Sequence, residues 1–525
     1  MSSLFCGLSQ WRHERRQRRR IEQAAQHLDQ LPSWNAPDNT TIMEAFEWHV
    51  PADHQHWRRL QRALPSLKAI GIDTLLLPPG TKAMSPSGNG YDPYDLYDIG
   101  EFDQKGSRPT KWGSKEELQA LTAHAKSLGM GVYWDAVLNH KAGADSTERF
   151  SAVRVDARQR DVDIAPAREI EGWVGFNFAG RGNRYSSMEY HWPHFSGVDR
   201  DESRKENAIY RIVGANKKRW AEDVSLENGN YDYLMFADLD YSHPEVQHDV
   251  LNWVDWLAEQ LPLSGIRLDA AKHWSVAFQK KLVDRVRAAF GADCFIVSEY
   301  WKEQTGFILN YLEKMECKLS VFDSALVGRF STISRTKGAD IRRVFEGTLV
   351  QSKPEYAVAP PYNPSPALVE PYFVPLAYAL ILLQNTGQPC VFYGDLYGLR
   401  GGVKHPTAPA CGGRLPILTQ ARKLYAYGEQ EDYYDQPNCI GFVRYGNRQH
   451  PWGLACIMSN AEATRKRMFV GRQHAKERWT DILEWNDEVV TIDRNGYGTF
   501  PVARLSVSVW VNYAADGREK IVRDL

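Results

Sequence analysis

The sequence predicts an α/β protein: a (β/α)8 TIM barrel with an irregular β domain inserted after its third strand and an antiparallel β-sandwich at its C-terminal end. Three observations carry this. Eight short apolar runs recur between residues 41 and 395, most of them followed by a longer stretch of helical character. One gap between successive runs is far longer than the others. Beyond residue 425 the pattern changes to short strands separated by turn residues.

The runs are TIMEAFEW (41–48), IDTLLLPP (72–79), GVYWDAVLN (131–139), GIRLDAAKH (265–273), CFIVSEYW (294–301), LSVFD (319–323), YAVA (356–359) and CVFYGD (390–395). Uninterrupted apolar runs flanked by helices indicate parallel strands covered on both faces. Eight such units close into a barrel, assigned here to residues 38–140 and 239–425. The step from Asp269 to Glu299, like that from Asp323 to Val358, is the ordinary length of one strand–helix unit, whereas Asp135 to Asp269 is longer by about 100 residues. The excess, 141–238, is rich in Gly, Asp and aromatics (GWVGFNFAGRGNRYSS, ENGNYDYL) and is assigned to the inserted β domain. CIGFVRYG, GLACIMSN, KRMFVG, VVTIDRNGYGTF and LSVSVWV make residues 426–525 the sandwich.

Composition narrows the function. The chain has 525 residues, 64 basic and 65 acidic, for a net charge of −1. That balance excludes a globally basic nucleic-acid binder. No apolar run reaches the roughly 18 residues of a membrane span. The 17 Trp, 25 Tyr and 20 Phe suit sugar faces, although most aromatics serve the core. Seven Cys, an odd number without a CxxC pair, give neither zinc spacing nor a disulfide framework. Free thiols fit a reducing compartment, and no secretory signal precedes the barrel, so a cytoplasmic location is expected. Residues 1–37, with six Arg between positions 12 and 20, are expected to form a basic, disordered tail. A monomer is expected.

Chemistry in such a barrel sits at the C-terminal ends of the strands. The polar residues there are Asp135, Asn139 and His140 on the third run, Arg267, Asp269, Lys272 and His273 on the fourth, Glu299 on the fifth and Asp395 on the eighth. Asp269 and Glu299 lie at matching ends of adjacent strands, which are about 4.8 Å apart. Their carboxyls can therefore approach to about 5–5.5 Å, the separation used by retaining glycosidases. Arg267, two residues before Asp269, points to the same side of its strand and is expected to keep Asp269 ionised. Glu299, among Phe295, Ile296, Val297 and Trp301, is expected to hold its proton as an acid. On pattern alone, a buried salt-bridge network at the barrel rim remains the alternative.

Longer segments decide between these. EAFEWHVPADHQHWRRL, NGYDPYDLYDIGEFDQKG, DAVLNHKAGAD, ENGNYDYLMFADLDY, GIRLDAAKH, VSEYW, PLAYALILL and CVFYGDLYG together resemble the alpha-amylase family of glycoside hydrolases, family 13, in particular the liquefying bacterial-type enzymes and their intracellular fungal relatives. The resemblance runs from about residue 38 to 515. It implies that Asp269 is the nucleophile and Glu299 the general acid/base. It also implies that Arg267 supports the nucleophile, that His140 and Lys272 contact substrate, that Tyr91 stacks on the sugar at the cleavage site and that Asp135 is structural. The implied substrate is an α-glucan or maltooligosaccharide. One calcium ion is implied as well, with Asn139, Asp232 and Asp238 as side-chain ligands and His273 as a backbone-carbonyl ligand. Ala221 and Ser242 stand where further cation sites of bacterial relatives use Asp.

One motif is missing. The family places a third catalytic carboxylate, the Asp of an Asn-His-Asp motif, at the end of the seventh strand. Here no Asp occurs between Asp340 and Asp395, and no His between His273 and His405. The stretch reads KPEYAVAPPYNPSPALVEPYF, and six prolines (360, 361, 364, 366, 371 and 375) crowd the region from strand seven onward. A central parallel strand cannot run through them, so strand seven is expected to end near Ala359. The expected function is retaining cleavage of internal α-1,4-glucosidic bonds, weakened or shifted to glucan transfer. The alternative is an inactive glucan-binding or regulatory homologue.

Overall fold

A computed structural model describes residues 39–214, 219–360, 368–399 and 408–523. The Arg-rich tail expected at 1–37 and residues 361–367 of the Pro-rich stretch lie outside these residues. The eight runs form one closed parallel barrel. Its strands are β1 (Ile42–Glu44), β2 (Thr74–Leu76), β3 (Gly131–Ala136), β4 (Gly265–Leu268), β5 (Phe295–Ser298), β6 (Ser320–Phe322), β7 (Ala357–Ala359) and β8 (Gln388–Phe392). Each pairs with its sequence neighbour, and β8 closes on β1 with Cys390 opposite Ile42. The strands are shorter than the apolar runs, because each run also supplies the polar turn at the strand's end.

The barrel is filled, not hollow. Ile42, Leu76, Val297, Phe322, Val358 and Cys390 pack inside with Tyr133 and Phe295, the last two stacked at 5.1 Å. Outside run α1 (His56–Ala69), α2 (Lys115–Ser127), α3 (Pro244–Gln260), α4 (Val276–Phe290), α5 (Thr305–Lys314), α6 (Ser324–Arg335), α7 (Val374–Leu383) and α8 (Leu415–Tyr425). On α1 the buried residues Trp57, Leu60, Leu64 and Leu67 follow a helical period and form the stripe that meets the strands. α2 starts at a capping box: Ser114 Oγ accepts from the Glu117 N–H, and the Glu117 carboxylate accepts from the Ser114 N–H. α7 is buried from Val374 to Leu383 with the exception of Pro375, which its unbroken apolar sequence VPLAYALILL requires.

Between β3 and α3 the chain builds a six-stranded sheet in the order 140–141, 237–239, 195–201, 206–212, 146–154, 168–175. The first and second of these strands pair antiparallel, Ala237 with Lys141 and Asp238 with His140, so the insert is sewn to the rim at the C-terminal ends of the barrel strands. Past α8, a six-stranded antiparallel sheet faces the pair Thr464–Phe469 and Tyr497–Val502. Val443, Ile457, Met468, Trp479, Phe500 and Trp510 fill the layer between them. No helix among the described residues is long and apolar enough to cross a membrane.

One sequence expectation shifts here, and one holds. Asp395 does not end a strand: Tyr393–Tyr397 turns into one short helix, where the Asp395 carboxylate accepts a hydrogen bond from the Tyr378 hydroxyl. β7 ends at Ala359 and Pro360 follows it into the cleft. Glu355 precedes β7 and so belongs to the end of the barrel opposite the C-terminal strand ends.

Candidate active site

The strand ends open into a cleft of about 570 Å³, within the range that takes a small ligand. Arg267, Asp269, Glu299, Tyr91 and His140 line it, together with Glu44, Trp48, Met235, Trp301 and Pro360. At its centre one guanidinium meets three carboxylates. Arg267 Nη1 lies 3.0 Å from Asp269 Oδ1 and also donates to Asp135 Oδ1, while Nη2 lies 2.5 Å from Glu299 Oε2. These side chains are nearly or largely withdrawn from water: 11% exposed for Arg267, 10% for Asp269, 1% for Asp135 and 23% for Glu299.

The backbone fixes the Asp269–Glu299 pair as firmly as the arginine does. The Glu299 N–H donates to the Leu268 carbonyl at 2.9 Å, and the Glu299 carbonyl accepts from Ala271 at 3.0 Å. The β4–β5 ladder thus continues past both strand ends. Asp269 is further held by its own N–H to the Ala136 carbonyl, 3.1 Å away on the other flanking strand. Ala270, immediately after it, adopts a left-handed conformation (φ 49°) that an L-residue seldom takes outside constrained sites.

Burial and Arg267 act on Asp269 in opposite directions. Burial pushes the Asp269 carboxyl well above the usual range; Arg267 pulls it back, and Glu299 and Asp135 push it up again. Asp135 is raised for the same leading reason. Arg267 is thus one cation facing three carboxyls in a site largely withdrawn from water.

The remaining expected contacts divide. Tyr91 lines the cleft, donates to Asp135 Oδ2 at 2.8 Å, and stacks on the exposed ring of Trp48 at 5.6 Å and 14°. Together they offer an aromatic surface to a sugar face. His140 also lines the cleft; burial lowers its pKa to about 4, so the ring is neutral, and Nε2 is 2.9 Å from the Tyr91 carbonyl. Lys272 is not among the cleft-lining residues. Its ammonium donates to Glu227 Oε2 at 2.8 Å and to the Trp301 carbonyl at 3.2 Å, and Lys302 pairs with the same Glu227. Glu227 of the insert thus joins Lys272 and Lys302 beside Trp301 of the cleft lining. Sequence reasoning passed over Glu44 and Trp48, although Glu44 shares its strand face with Ile42 by simple alternation.

The expected calcium ligands fit a cation in part. Asn139 Nδ2 donates to Asp238 Oδ1 at 3.0 Å, while Asn139 Oδ1 is buried with no hydrogen-bond donor. Burial raises Asp232 to about 7 and Asp238 well above the usual range, and Asp232 pushes Asp238 up further. An orphaned oxygen beside two buried carboxyls is a donor set short of positive charge, and it suits a hard cation. His273 stacks edge-on against Tyr231 at 4.2 Å, next to Asp232, with Nδ1 2.7 Å from the Tyr231 carbonyl. Asn139 and Asp238 are thus brought into contact, with Asp232 close enough to act on Asp238, while His273 reaches that neighbourhood through Tyr231.

A second cluster, His194, His243 and Glu245, has ligand atoms within 4.8 Å of one another. It does not offer two imidazole lone pairs. His194 Nδ1 accepts from the His191 N–H at 2.9 Å, and His243 Nδ1 from the Glu245 N–H at 3.3 Å. In the neutral ring the proton is then on Nε2, and His194 Nε2 donates to Glu245 at 3.0 Å. The cluster caps the start of α3.

Comparison with known proteins agrees with this geometry. Residues 56–332 match the model of the alpha-amylase catalytic domain. The chain is 44% identical over 486 residues to the glucan 1,4-alpha-maltohexaosidase of Bacillus sp. (strain 707), covering 90% of this chain and 92% of that one. It is 37% identical over 489 residues to the cytoplasmic alpha-amylase of Escherichia coli (strain K12), covering 90% and 99%. Among solved structures it superposes on the acarbose-complexed alpha-amylase of Geobacillus thermoleovorans with a TM-score of 0.59, at 15% identity, over 90% of this chain and 98% of that one. With its barrel, its inserted sheet and its arginine-held carboxylate pair, the chain belongs to the alpha-amylase family of glycoside hydrolases.

Proposed function

We propose that this protein cleaves or transfers internal α-1,4-glucosidic bonds of glucans or maltooligosaccharides with retention of configuration. The observation that carries the reading is the pair Asp269–Glu299, held by one guanidinium and one continuous backbone ladder. Glu299 protonates the departing glycosidic oxygen while the Asp269 carboxylate attacks the anomeric carbon, breaking the C–O bond and forming a glucosyl-enzyme. Glu299, now anionic, takes a proton from water or from a second sugar's hydroxyl, whose oxygen displaces Asp269. Positive charge developing at the anomeric carbon favours the ionised form of Asp269 against the burial that raises it.

The end of β7 sets the rate. Pro360 stands there, and neither Glu355 nor Glu370 lines the cleft. A preorganised charge absent from a transition state typically costs about 10²–10³ in rate, so turnover is expected to be slow and transfer to compete with hydrolysis. The same observation supports a second reading, a glucan-binding protein without turnover. Incubation with maltoheptaose and calcium, with products separated by chromatography, tests both. Shorter and longer oligosaccharides that vanish in Glu299→Gln are expected; binding with no product from the unaltered chain would establish the second reading.

Calcium, where bound, supplies positive charge between the insert and the barrel rim. Asn139 and Asp238 would hold it with Asp232, and the His273 carbonyl is the fourth ligand proposed. One ion is proposed. At a concentration a thousandfold above Kd it would add about 4 kcal/mol to stability. Thermal unfolding with calcium and with a chelator measures this: a lower Tm under chelation, absent in Asp238→Ala, is expected, and an unchanged Tm would remove the site. The six described cysteines are all free, which supports action on glucans inside the cell, as does the similarity to a relative named cytoplasmic.

A further inference from the structure

Four carboxyls approach the centre of the cleft, and three of them are paired with Arg267. The fourth is Glu44. It is the last residue of β1, opposite Phe392 of β8 and Leu76 of β2, and all three residues line the cleft. Asp135 has Tyr91 and Arg267; Asp269 and Glu299 have Arg267; Asp395 has Tyr378. The Glu44 carboxyl makes no hydrogen bond or ion pair among the described residues. A largely buried polar group without a partner is costly, and the open side of Glu44 is the cleft. Its partner is therefore whatever occupies the cleft.

Strand order sharpens this. β1 is two strands from β7, across β8. Among the described residues the β7 end contributes Pro360 and no carboxyl to the cleft, and Glu44 and Glu299 flank it at two strands' distance on either side. We propose that Glu44 is the third substrate-contacting carboxyl of this cleft, hydrogen-bonding the hydroxyls of the sugar seated over Arg267 and facing the charge that develops there. The proposal rests on the glucan reading above and deepens it.

Its surroundings give the contact a pH dependence. The charged and titratable groups facing it are Arg267 on β4, Asp135 on β3, Glu299 after β5, Asp395 after β8, Cys390 on β8 and Tyr91. Burial pushes Glu44 up to about 7; Arg267 opposes this, and Asp135, Glu299 and Asp395 add to it. Below neutrality Glu44 is a protonated donor and acceptor. Above it, the group is an anion that favours positive charge at the anomeric carbon. Glutamine mimics the first form and cannot become the second.

Two arms test this on the full chain. In the first, acarbose binding is measured by calorimetry. Glu44→Ala and the volume-preserving Glu44→Leu are expected to raise Kd by at least about tenfold; wild-type affinity in either folded variant overturns the proposal. In the second, kcat/KM on maltoheptaose is measured at about pH 6 and about pH 8. The ratio of wild type to Glu44→Gln is expected to be near one at the lower pH and to rise at least about threefold at the higher. A ratio flat with pH overturns the proposal, since a merely structural glutamate would not move it. The arms separate the two readings: a wild type that binds acarbose without turnover overturns the hydrolase reading alone, and the first arm then decides Glu44. A wild type that does not bind acarbose overturns both.

Discussion

Asp269→Asn is expected to lower kcat/KM on maltoheptaose by at least about 10³-fold, which is about 4 kcal/mol of transition-state stabilisation. An amide has nearly the shape of the carboxylate but cannot form the ester linkage to the anomeric carbon. The geometry should survive, because the Asp269 N–H to Ala136 and the Glu299–Leu268 and Glu299–Ala271 bonds are all backbone contacts. Substrate affinity is therefore expected to persist while turnover disappears. Mass spectrometry after a short incubation gives the decisive readout: a chain carrying one added glucan on Asp269 in the wild type, and none in the variant. Full activity in Asp269→Asn would remove the nucleophile assignment.

Arg267→Met is expected to damage both stability and activity. The guanidinium is the cation for Asp135, Asp269 and Glu299 at once. Removing one partner of a buried ion pair typically costs about 3–5 kcal/mol, because the remaining charges lose compensation without regaining water. Three carboxyls left together would take up protons, and Asp269 would be neutral where it must attack. The midpoint of denaturant unfolding measures the first effect, and kcat/KM as a function of pH the second. In the variant, activity is expected to recover in part as pH rises and Asp269 ionises. Because burial already raises the folded-state Asp269 above its unfolded value, this ionisation works against stability: the variant is expected to lose stability as pH rises from the unfolded carboxylate range toward the folded value. A variant as stable as wild type would place Arg267 outside the electrostatic core of the site.

Much of this was legible in the residues. The order of the eight barrel strands followed from apolar runs, since a strand buried on both faces must be apolar along its length. Asp269 and Glu299 were found as a pair because neighbouring parallel strands end level with one another, and Arg267 because alternation puts it on the same side as Asp269. The end of β7 at Ala359 followed from proline chemistry. Glu44 was equally visible as an inward-facing residue beside Ile42, but a single glutamate in an apolar strand carries no sign of which charges it will meet.

The sequence by itself determined the barrel, the carboxyl pair Asp269–Glu299 and the lack of an Asn-His-Asp motif, because each is a local pattern: period, spacing or the presence of a residue type. Only the tertiary structure decided who touches whom across the chain. Asn139 meets Asp238 over a separation of 99 residues, and Arg267 meets Asp135 over 132. Lys272 meets Glu227, 45 residues away, and the carbonyl of Trp301 in the cleft lining. The charge state of the centre belongs to the same class. Arg267 was expected to ionise its neighbour, and burial of Asp269 opposes that pull. Desolvation is a property of the closed barrel, and no short stretch of sequence contains it.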